Sequence, residues 1–246
     1  MSFEPPRGAR RLESASLGDR PACVLGVCDG SGWVLGPENV ARPCECRDAL
    51  LAKRRARGVS TVIPKRFRDV SFELASNDRI HPSVLNAVRA YAEAIGERLE
   101  QGRGLWLMGD VGTGKTTLAM LVSKAAAEAG HSVAIYSLPR LLARIRRTYD
   151  SLPGEDSYLQ FFERLTSVDL LHIDDLGAEK RSDWVLEQLY ALIDERYQSQ
   201  RSVVVTTNLT QDNLEQQIGE RTVSRLVEIC GDPLPLFGDD QRYRVA

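Results

Sequence analysis

Eight consecutive residues, Gly109-Asp110-Val111-Gly112-Thr113-Gly114-Lys115-Thr116, place three glycines, a lysine and a hydroxyl in the spacing G-x-x-x-x-G-K-[ST]. Glycines allow a backbone curl tight enough for its N–H groups to surround an anion. Lys115 is then spaced to reach the β- and γ-phosphates of a nucleoside triphosphate, and the Thr116 hydroxyl to ligate Mg²⁺. Such a loop works only between a strand, which aims it, and a helix, whose positive N-terminal end faces the phosphates. The apolar run Leu105-Trp106-Leu107-Met108 and the helix-compatible run from Thr117 to Ala129 meet that demand. The residues from Gly109 through Thr117 are therefore the expected ATP-contacting set.

Downstream, strand-like and helix-like runs alternate, as a parallel α/β sheet requires. Ser132–Tyr136 reads as a strand, Leu138–Tyr149 as a helix with Pro139 in its first turn, and Tyr158–Leu165 as another helix. Val168–Ile173 reads as a buried strand closed by Asp174-Asp175, the Walker B arrangement. Asp174 is expected to hold Mg²⁺, directly or through water, and Asp175 to orient and polarise the attacking water. His172 alternates into this strand and reads as a core histidine.

A long helix from Trp184 to Gln198 carries Leu186, Leu189, Tyr190, Ile193 and Tyr197 at packing intervals. Arg201–Asn208 reads as a strand ending in an amide. Between the acidic pair and the phosphate loop, Asn208 is placed to hydrogen-bond the attacking water or the γ-phosphate. A final helix after Gly219 puts Arg221 and Arg225 four apart on one face. Their planar guanidinium groups suit the charge of a transferring phosphoryl group; the alternative is a solvent-facing pair beside Glu220 and Glu228. Leu234–Phe237 reads as the last strand, and Cys230 as a core residue.

Four of the five cysteines fall close together, Cys23-x4-Cys28 and Cys44-x-Cys46. In a cytosolic chain such a cluster points to metal rather than disulfides, and four thiolates are what a closed tetrahedral Zn²⁺ site needs. About thirty residues cannot hold themselves together by apolar burial, so the metal supplies the folding energy.

The 246 residues allow one full α/β domain and a small module. The expected division is a flexible tail over 1–20, a zinc-binding module with a basic linker over 21–60, and an ATPase domain over 61–246. No apolar run approaches a membrane span, and Met1–Pro21 has no apolar signal region, which points to the cytoplasm. The net charge of −2 hides an asymmetry: residues 1–68 carry 13 Lys/Arg against 7 Asp/Glu. A basic arm on an acidic body suggests an anionic partner at one end.

The string Leu170-Leu171-His172-Ile173-Asp174-Asp175-Leu176-Gly177-Ala178-Glu179-Lys180, with Trp184, Glu187-Gln188-Leu189-Tyr190 and Thr206-Thr207-Asn208-Leu209, resembles the DnaC/DnaI/IstB group of AAA+ ATPases. Gly219-Glu220-Arg221 with Ser224-Arg225-Leu226 is similar to that group's arginine-finger segment. Cys28–Val34 with Arg42–Arg47 is similar to the N-terminal zinc module of DnaI-type loaders.

The resemblance implies an AAA+ (ASCE) α/β fold, a parallel sheet flanked by helices, with ATP bound between self-associating subunits. Lys115, Thr116, Asp174, Asp175 and Asn208 act from one side; Arg225 is the finger supplied in trans, with Arg221 its neighbour. Arg242 matches the group's C-terminal nucleotide-contacting arginine. The implied task is to bind a hexameric replicative helicase through the N-terminal module and place it on single-stranded DNA.

In this group the helix after the second strand lines the DNA channel. Here that helix carries Arg140, Arg144 and Arg147 on one face, with Arg146 beside them and Tyr149 placed to stack on a base; a solvated face is the alternative. Two departures stand out. Asp175 replaces the glutamate common at Walker B, which implies slow, switch-like hydrolysis, and the sequence stops after its last strand, leaving no room for a helical lid. Competing readings are an IstB-type transposition helper acting on duplex DNA with a transposase, a P-loop small-molecule kinase, and a nucleotide-gated adaptor.

Overall fold

The computed structural model describes residues 23, 25–36, 40–47, 50, 63–77, 80–150 and 157–238. The chain divides into two compact units, Met1–Leu51 and Ala52–Ala246.

In the first unit, β1 (Trp33–Leu35) and β2 (Ala41–Pro43) form an antiparallel pair, with Trp33 opposite Pro43. Gly30 and Gly32 adopt positive φ, 82° and 80°, and so turn the chain sharply before β1. The Gly32 carbonyl accepts the Cys44 N–H at 2.9 Å, which brings the two cysteine pairs to the same end of the hairpin. The Arg47 guanidinium stacks 3.7 Å above the Trp33 ring.

The second unit opens with α1 (Phe72–Asn77), α2 (Pro82–Glu93) and α3 (Ile95–Glu100). Alternation follows: β3 (Leu105–Gly109), α4 (Lys115–Glu128), β4 (Val133–Ser137), α5 (Leu138–Arg147), α6 (Tyr158–Ser167), β5 (Leu170–Asp174), α7 (Asp183–Gln198), β6 (Ser202–Thr207), α8 (Gln211–Ile218), α9 (Glu220–Cys230) and β7 (Leu234–Leu236). Helices α1–α3 and α8 occupy segments for which the sequence pattern suggested no element. In α8 only Leu214 and Ile218 are buried, too little apolar content for periodicity to reveal it.

All five sheet strands run parallel in the order β4-β5-β6-β3-β7. Thus β6 is inserted between the strand of the phosphate loop and the strand of the acidic pair. The crossovers bring Gly109, Asp174 and Thr207 to the same edge, the carboxyl ends of adjacent strands, where open α/β sheets bind ligands.

Alternation along each strand sends side chains into two cores. Leu105 and Leu107 pack with α2–α4 on one face, whereas Trp106 packs with α5–α9 on the other. In α5, Leu138, Leu141, Leu142 and Ile145 are buried, a spacing that leaves its arginines on the opposite side.

His172 is fully buried on the α4 face. The Ser123 hydroxyl donates to the Ala119 carbonyl at 3.0 Å and sits 2.9 Å from His172 Nδ1. With that hydroxyl proton committed, Nδ1 is the donor and Nε2 is a bare acceptor without a partner. Burial pushes the imidazole down to about 3 from an ordinary 6.5. Below pH 6.5 the unfolded chain therefore takes up a proton that the folded chain refuses, so stability falls as pH drops through this window. Between pH 8 and pH 5 this group should cost about 2 kcal/mol. Urea titrations should show His172→Leu losing that much less over the same range; an unchanged acid limb would remove the assignment.

Candidate nucleotide site and metal centre

Backbone freedom is needed at two points of the phosphate loop, where Gly112 and Gly114 take φ of 78° and 94°. At Gly109 the demand is closeness: a Cβ there would stand 1.9 Å from the Leu236 carbonyl oxygen, blocking the pairing of β7. Lys115 is buried at the start of α4. Its Nζ donates to the Gly109 carbonyl at 2.9 Å, to the Asp110 carbonyl and to Thr113 Oγ1 at 3.5 Å. The ammonium thus occupies the concave side of the curl. Asp110 helps close the loop, its carboxylate accepting the Gly238 N–H at 3.1 Å.

The acidic pair is knitted to two threonines. Thr116 Oγ1 donates to Asp174 Oδ1 at 2.9 Å, and Thr206 Oγ1 donates to the same oxygen at 2.7 Å. The Thr206 oxygen in turn accepts the Asp175 N–H at 3.0 Å. Asp175 itself sits at φ 57°, a left-handed conformation that aspartate tolerates better than most side chains. Next along β6, Thr207 Oγ1 donates to the Leu176 carbonyl at 2.7 Å and accepts the Leu209 N–H at 3.1 Å. The two hydroxyls lock the end of β6 to the turn after β5 and leave Asn208 at the cleft. Thr206 was not among the expected site residues. Its sequence signal was its place in the Thr206-Thr207-Asn208-Leu209 string, a hydroxyl two positions before Asn208 in a strand otherwise rich in valine.

A cleft of about 570 Å³ is lined by Val111 through Thr117, with Asp175, Ala178 and Asn208, and by Arg66 and Phe67. Its size is that of a small-ligand pocket. Mg²⁺ fits the polar residues at its edge: neighbouring oxygens of an octahedral magnesium stand roughly 2.9 Å apart, the spacing of Thr116 Oγ1 and Asp174 Oδ1.

The remaining candidates lie elsewhere. Arg225 is held within its own subunit: Nε donates to Asp194 at 3.0 Å, Nη1 donates to Glu228 at 2.9 Å, and the guanidinium lies 4.2 Å over the Tyr197 ring. Asp194, and then Glu228, raise its already high pKa. Arg221, one turn earlier, is exposed. Arg242 lies outside the described residues. Arg140, Arg144 and Arg147 line a second cavity. Arg146 stacks 4.5 Å over Trp184. Tyr149, expected as a base-stacking ring, is stacked on Tyr158 at 5.4 Å and accepts the Trp184 Nε1–H at 3.3 Å.

In the first unit the Sγ atoms of Cys23, Cys28, Cys44 and Cys46 lie within 4.8 Å of one another. Cys23 and Cys44 are 4.0 Å apart, Cys28 and Cys46 3.5 Å. A tetrahedron of thiolates around Zn²⁺ at 2.3 Å has edges of roughly 3.8 Å, so this donor set fits zinc. The backbone N–H of Cys28, above all, draws the Cys23 thiol down to about 6, toward the thiolate a metal ligand requires. Burial pushes Cys46 the other way; a dication removes that conflict by neutralising the crowded sulfurs. Cys230 belongs to the second unit, its thiol 3.5 Å from the Val203 carbonyl.

Among curated proteins, the replicative helicase loader DnaC of Buchnera aphidicola (subsp. Schizaphis graminum) is 29% identical over 145 residues, 58% of this chain and 56% of that protein. The chain thus matches about half the length of that relative. The XkdC protein of the phage-like element PBSX of Bacillus subtilis is 25% identical over 94% of this chain and 89% of its own. Among solved structures, the DnaC helicase loader aligns with a TM-score of 0.59 at 27% identity, covering 72% of this chain and all of that one. The five-stranded parallel sheet, with its inserted strand and flanking helices, is of the AAA+ type. Residues 87–228, more than half of the sequence and spanning the phosphate loop, the acidic pair and the arginine helix, match one protein family throughout. The chain belongs to the family of IstB-like ATP binding proteins.

Proposed function

We propose that this protein is an ATP-dependent loader that binds a hexameric replicative DNA helicase and places it on single-stranded DNA, acting in the cytoplasm as a slow, ATP-hydrolysing switch. The observation that carries the reading is the similarity to helicase loaders over the nucleotide-binding unit, joined in the same chain to a four-cysteine module. That module leaves Leu25, Val27, Leu35 and Val40 more than half exposed. Apolar exposure on so small a unit suits docking to another protein.

Within the cleft, Lys115 and the loop amides bind the phosphates, and Thr116 with Asp174 holds Mg²⁺. The metal, when bound, neutralises phosphate charge and so eases attack on the γ-phosphorus. Asp175 accepts a proton from the attacking water, and Asn208 orients that water. Thr206 keeps the two carboxylates distinct: its hydroxyl proton goes to Asp174 and its oxygen holds the Asp175 backbone. Arg225 reaches the nucleotide of the next subunit, steadied by Asp194 and Glu228, with Arg221 beside it. Arg242 is the further nucleotide contact. Arg140, Arg144 and Arg147 contact the DNA backbone.

Native mass spectrometry of the protein with its host's replicative helicase, ATP and Mg²⁺ tests the reading. A complex containing a helicase hexamer is expected, and it should vanish when residues 1–60 are removed. Absence of any complex, from protein that binds ATP and assembles on duplex DNA, favours the second reading. That reading is an IstB-type transposition helper acting with a transposase, and the family match supports it.

A further inference from the structure

The turn that carries Asp175 hangs from the end of β6, where Thr206 and Thr207 are fully buried. The Thr206 carbonyl accepts the Leu176 N–H at 2.8 Å, and the Thr207 hydroxyl donates to the Leu176 carbonyl at 2.7 Å. Leu176 is thus held on both sides by backbone and side chain of β6. Asp175, one residue earlier, is left-handed at φ 57°, a conformation that a residue other than glycine keeps only where its surroundings impose it. Its N–H is held at 3.0 Å by Thr206 Oγ1, and its carbonyl accepts the Ala178 N–H at 3.2 Å. A return to negative φ has to turn that N–H away from Thr206 or the side chain away from the cleft it lines. The threonine hydroxyl is available as an acceptor because its own proton is committed to Asp174 Oδ1 at 2.7 Å. Asp174 does not depend on that bond alone, since Thr116 donates to the same oxygen at 2.9 Å.

We propose that Thr206 is a positioning residue for hydrolysis: its hydroxyl holds Asp175 in the left-handed turn and so sets where the base stands relative to Asn208, while nucleotide binding does not depend on it. The proposal rests on the reading of Asp175 as the general base. Asn208 follows Thr206 by two residues and lines the same cleft, so β6 both carries the amide that orients the water and fixes the carboxylate that accepts its proton. The spacing of the two groups is then a property of one strand end. Rates are steep in such spacing, a misplacement of about 1 Å costing up to about 100-fold. Thr206 touches no reacting atom in this scheme and acts only through Asp175, which separates it from a residue that merely supports the fold.

The test measures steady-state hydrolysis by the full chain with Mg²⁺ and, separately, the Kd of a fluorescent, non-hydrolysable ATP analogue. Thr206→Val keeps the β-branched shape and removes the hydroxyl. Its kcat should fall about 10-fold or more while the analogue's Kd stays within about 3-fold. Thr206→Ser retains the hydroxyl and should recover most of the rate. In an Asp175→Asn background the same Thr206→Val step should cost less than about 2-fold, because a group that acts through the base has nothing left to place. Should Thr206→Val fail to fold, Thr206→Ala reads the same loss. The positioning role is overturned by a kcat that holds, by kcat and affinity falling together, by a rate that serine does not recover, or by a full loss repeated in Asp175→Asn. Undiminished turnover in Asp175→Asn alone, or a wild type that hydrolyses no ATP, refutes the base itself, and the proposal falls with it.

Discussion

Replacing Lys115 by alanine should weaken ATP binding about 100-fold or more while leaving the fold in place. The ammonium sits on the concave side of the phosphate loop, where it donates to the Gly109 and Asp110 carbonyls and to the Thr113 hydroxyl. A hydrogen bond to a charged group contributes about 1.5–3 kcal/mol, and two to phosphate oxygens suffice for the predicted loss. The fold should survive because the loop carbonyls and the hydroxyl that Lys115 releases lie beside a cleft that water enters. Asp175→Asn is the informative contrast. It preserves the backbone N–H bonded to Thr206, so nucleotide affinity should hold while turnover falls about 100-fold or more, the scale of losing a general base. Isothermal titration calorimetry and single-turnover hydrolysis separate the two. Tight ATP binding by Lys115→Ala would refute the placement of the phosphates, and undiminished turnover in Asp175→Asn would refute the base.

Removing the metal ligands of the N-terminal unit should abolish its structure and spare the ATP-binding unit. Among the described residues of Met1–Leu51, the buried ones are Gly30, Gly32, Cys44 and Cys46, with no aliphatic or aromatic side chain among them. Apolar burial therefore cannot account for the order of the β1–β2 hairpin, and four thiolates around one zinc can. Elemental analysis should find one zinc per chain, and none in the double replacement Cys44→Ser and Cys46→Ser. In the variant, dispersed amide resonances of the first unit should collapse while ATP affinity stays within about 2-fold, since the two units are compact separately. The helicase complex should be lost as well. A zinc-free variant whose hairpin resonances persist would end the structural-zinc assignment.

Much of the nucleotide site is local in sequence and so was legible there. Glycine, lysine and hydroxyl spacing encodes a loop whose chemistry is set by backbone conformation, and Gly112 and Gly114 do adopt the left-handed backbone such a loop needs. The α/β class was legible for the same reason: apolar runs buried on both faces alternate with helical periodicity, and β3 to β6 lie within a residue or two of where those runs place them. The four cysteines, too, announced a common site through clustering alone, and their sulfurs are gathered in one place.

Tertiary structure decided what depends on partners distant in the chain. Thr206 owes its place to the insertion of β6 between β3 and β5, which no local pattern specifies. Arg196 is a charged residue on the stripe of α7 that buries Val185, Leu189 and Leu192, and it is itself fully buried. There its guanidinium donates to the carbonyls of Leu165, Val168 and Ser202, tying the approach to β5 to the start of β6. Sequence places Arg221 and Arg225 on one helix face, and the resemblance singles out Arg225 as the finger; that Arg225 meets Asp194 and Tyr197 follows from the packing of α9 on α7. The arginines of α5 read as an open face, and the fold turns them toward a cavity that shares Arg66 and Phe67 with the nucleotide cleft. Sequence by itself determined the chemistry of each loop and the period of each element, because both are written in neighbouring residues. Which side chains meet across elements is a property of strand order and helix packing, and those are settled only when the whole chain buries its apolar surface together.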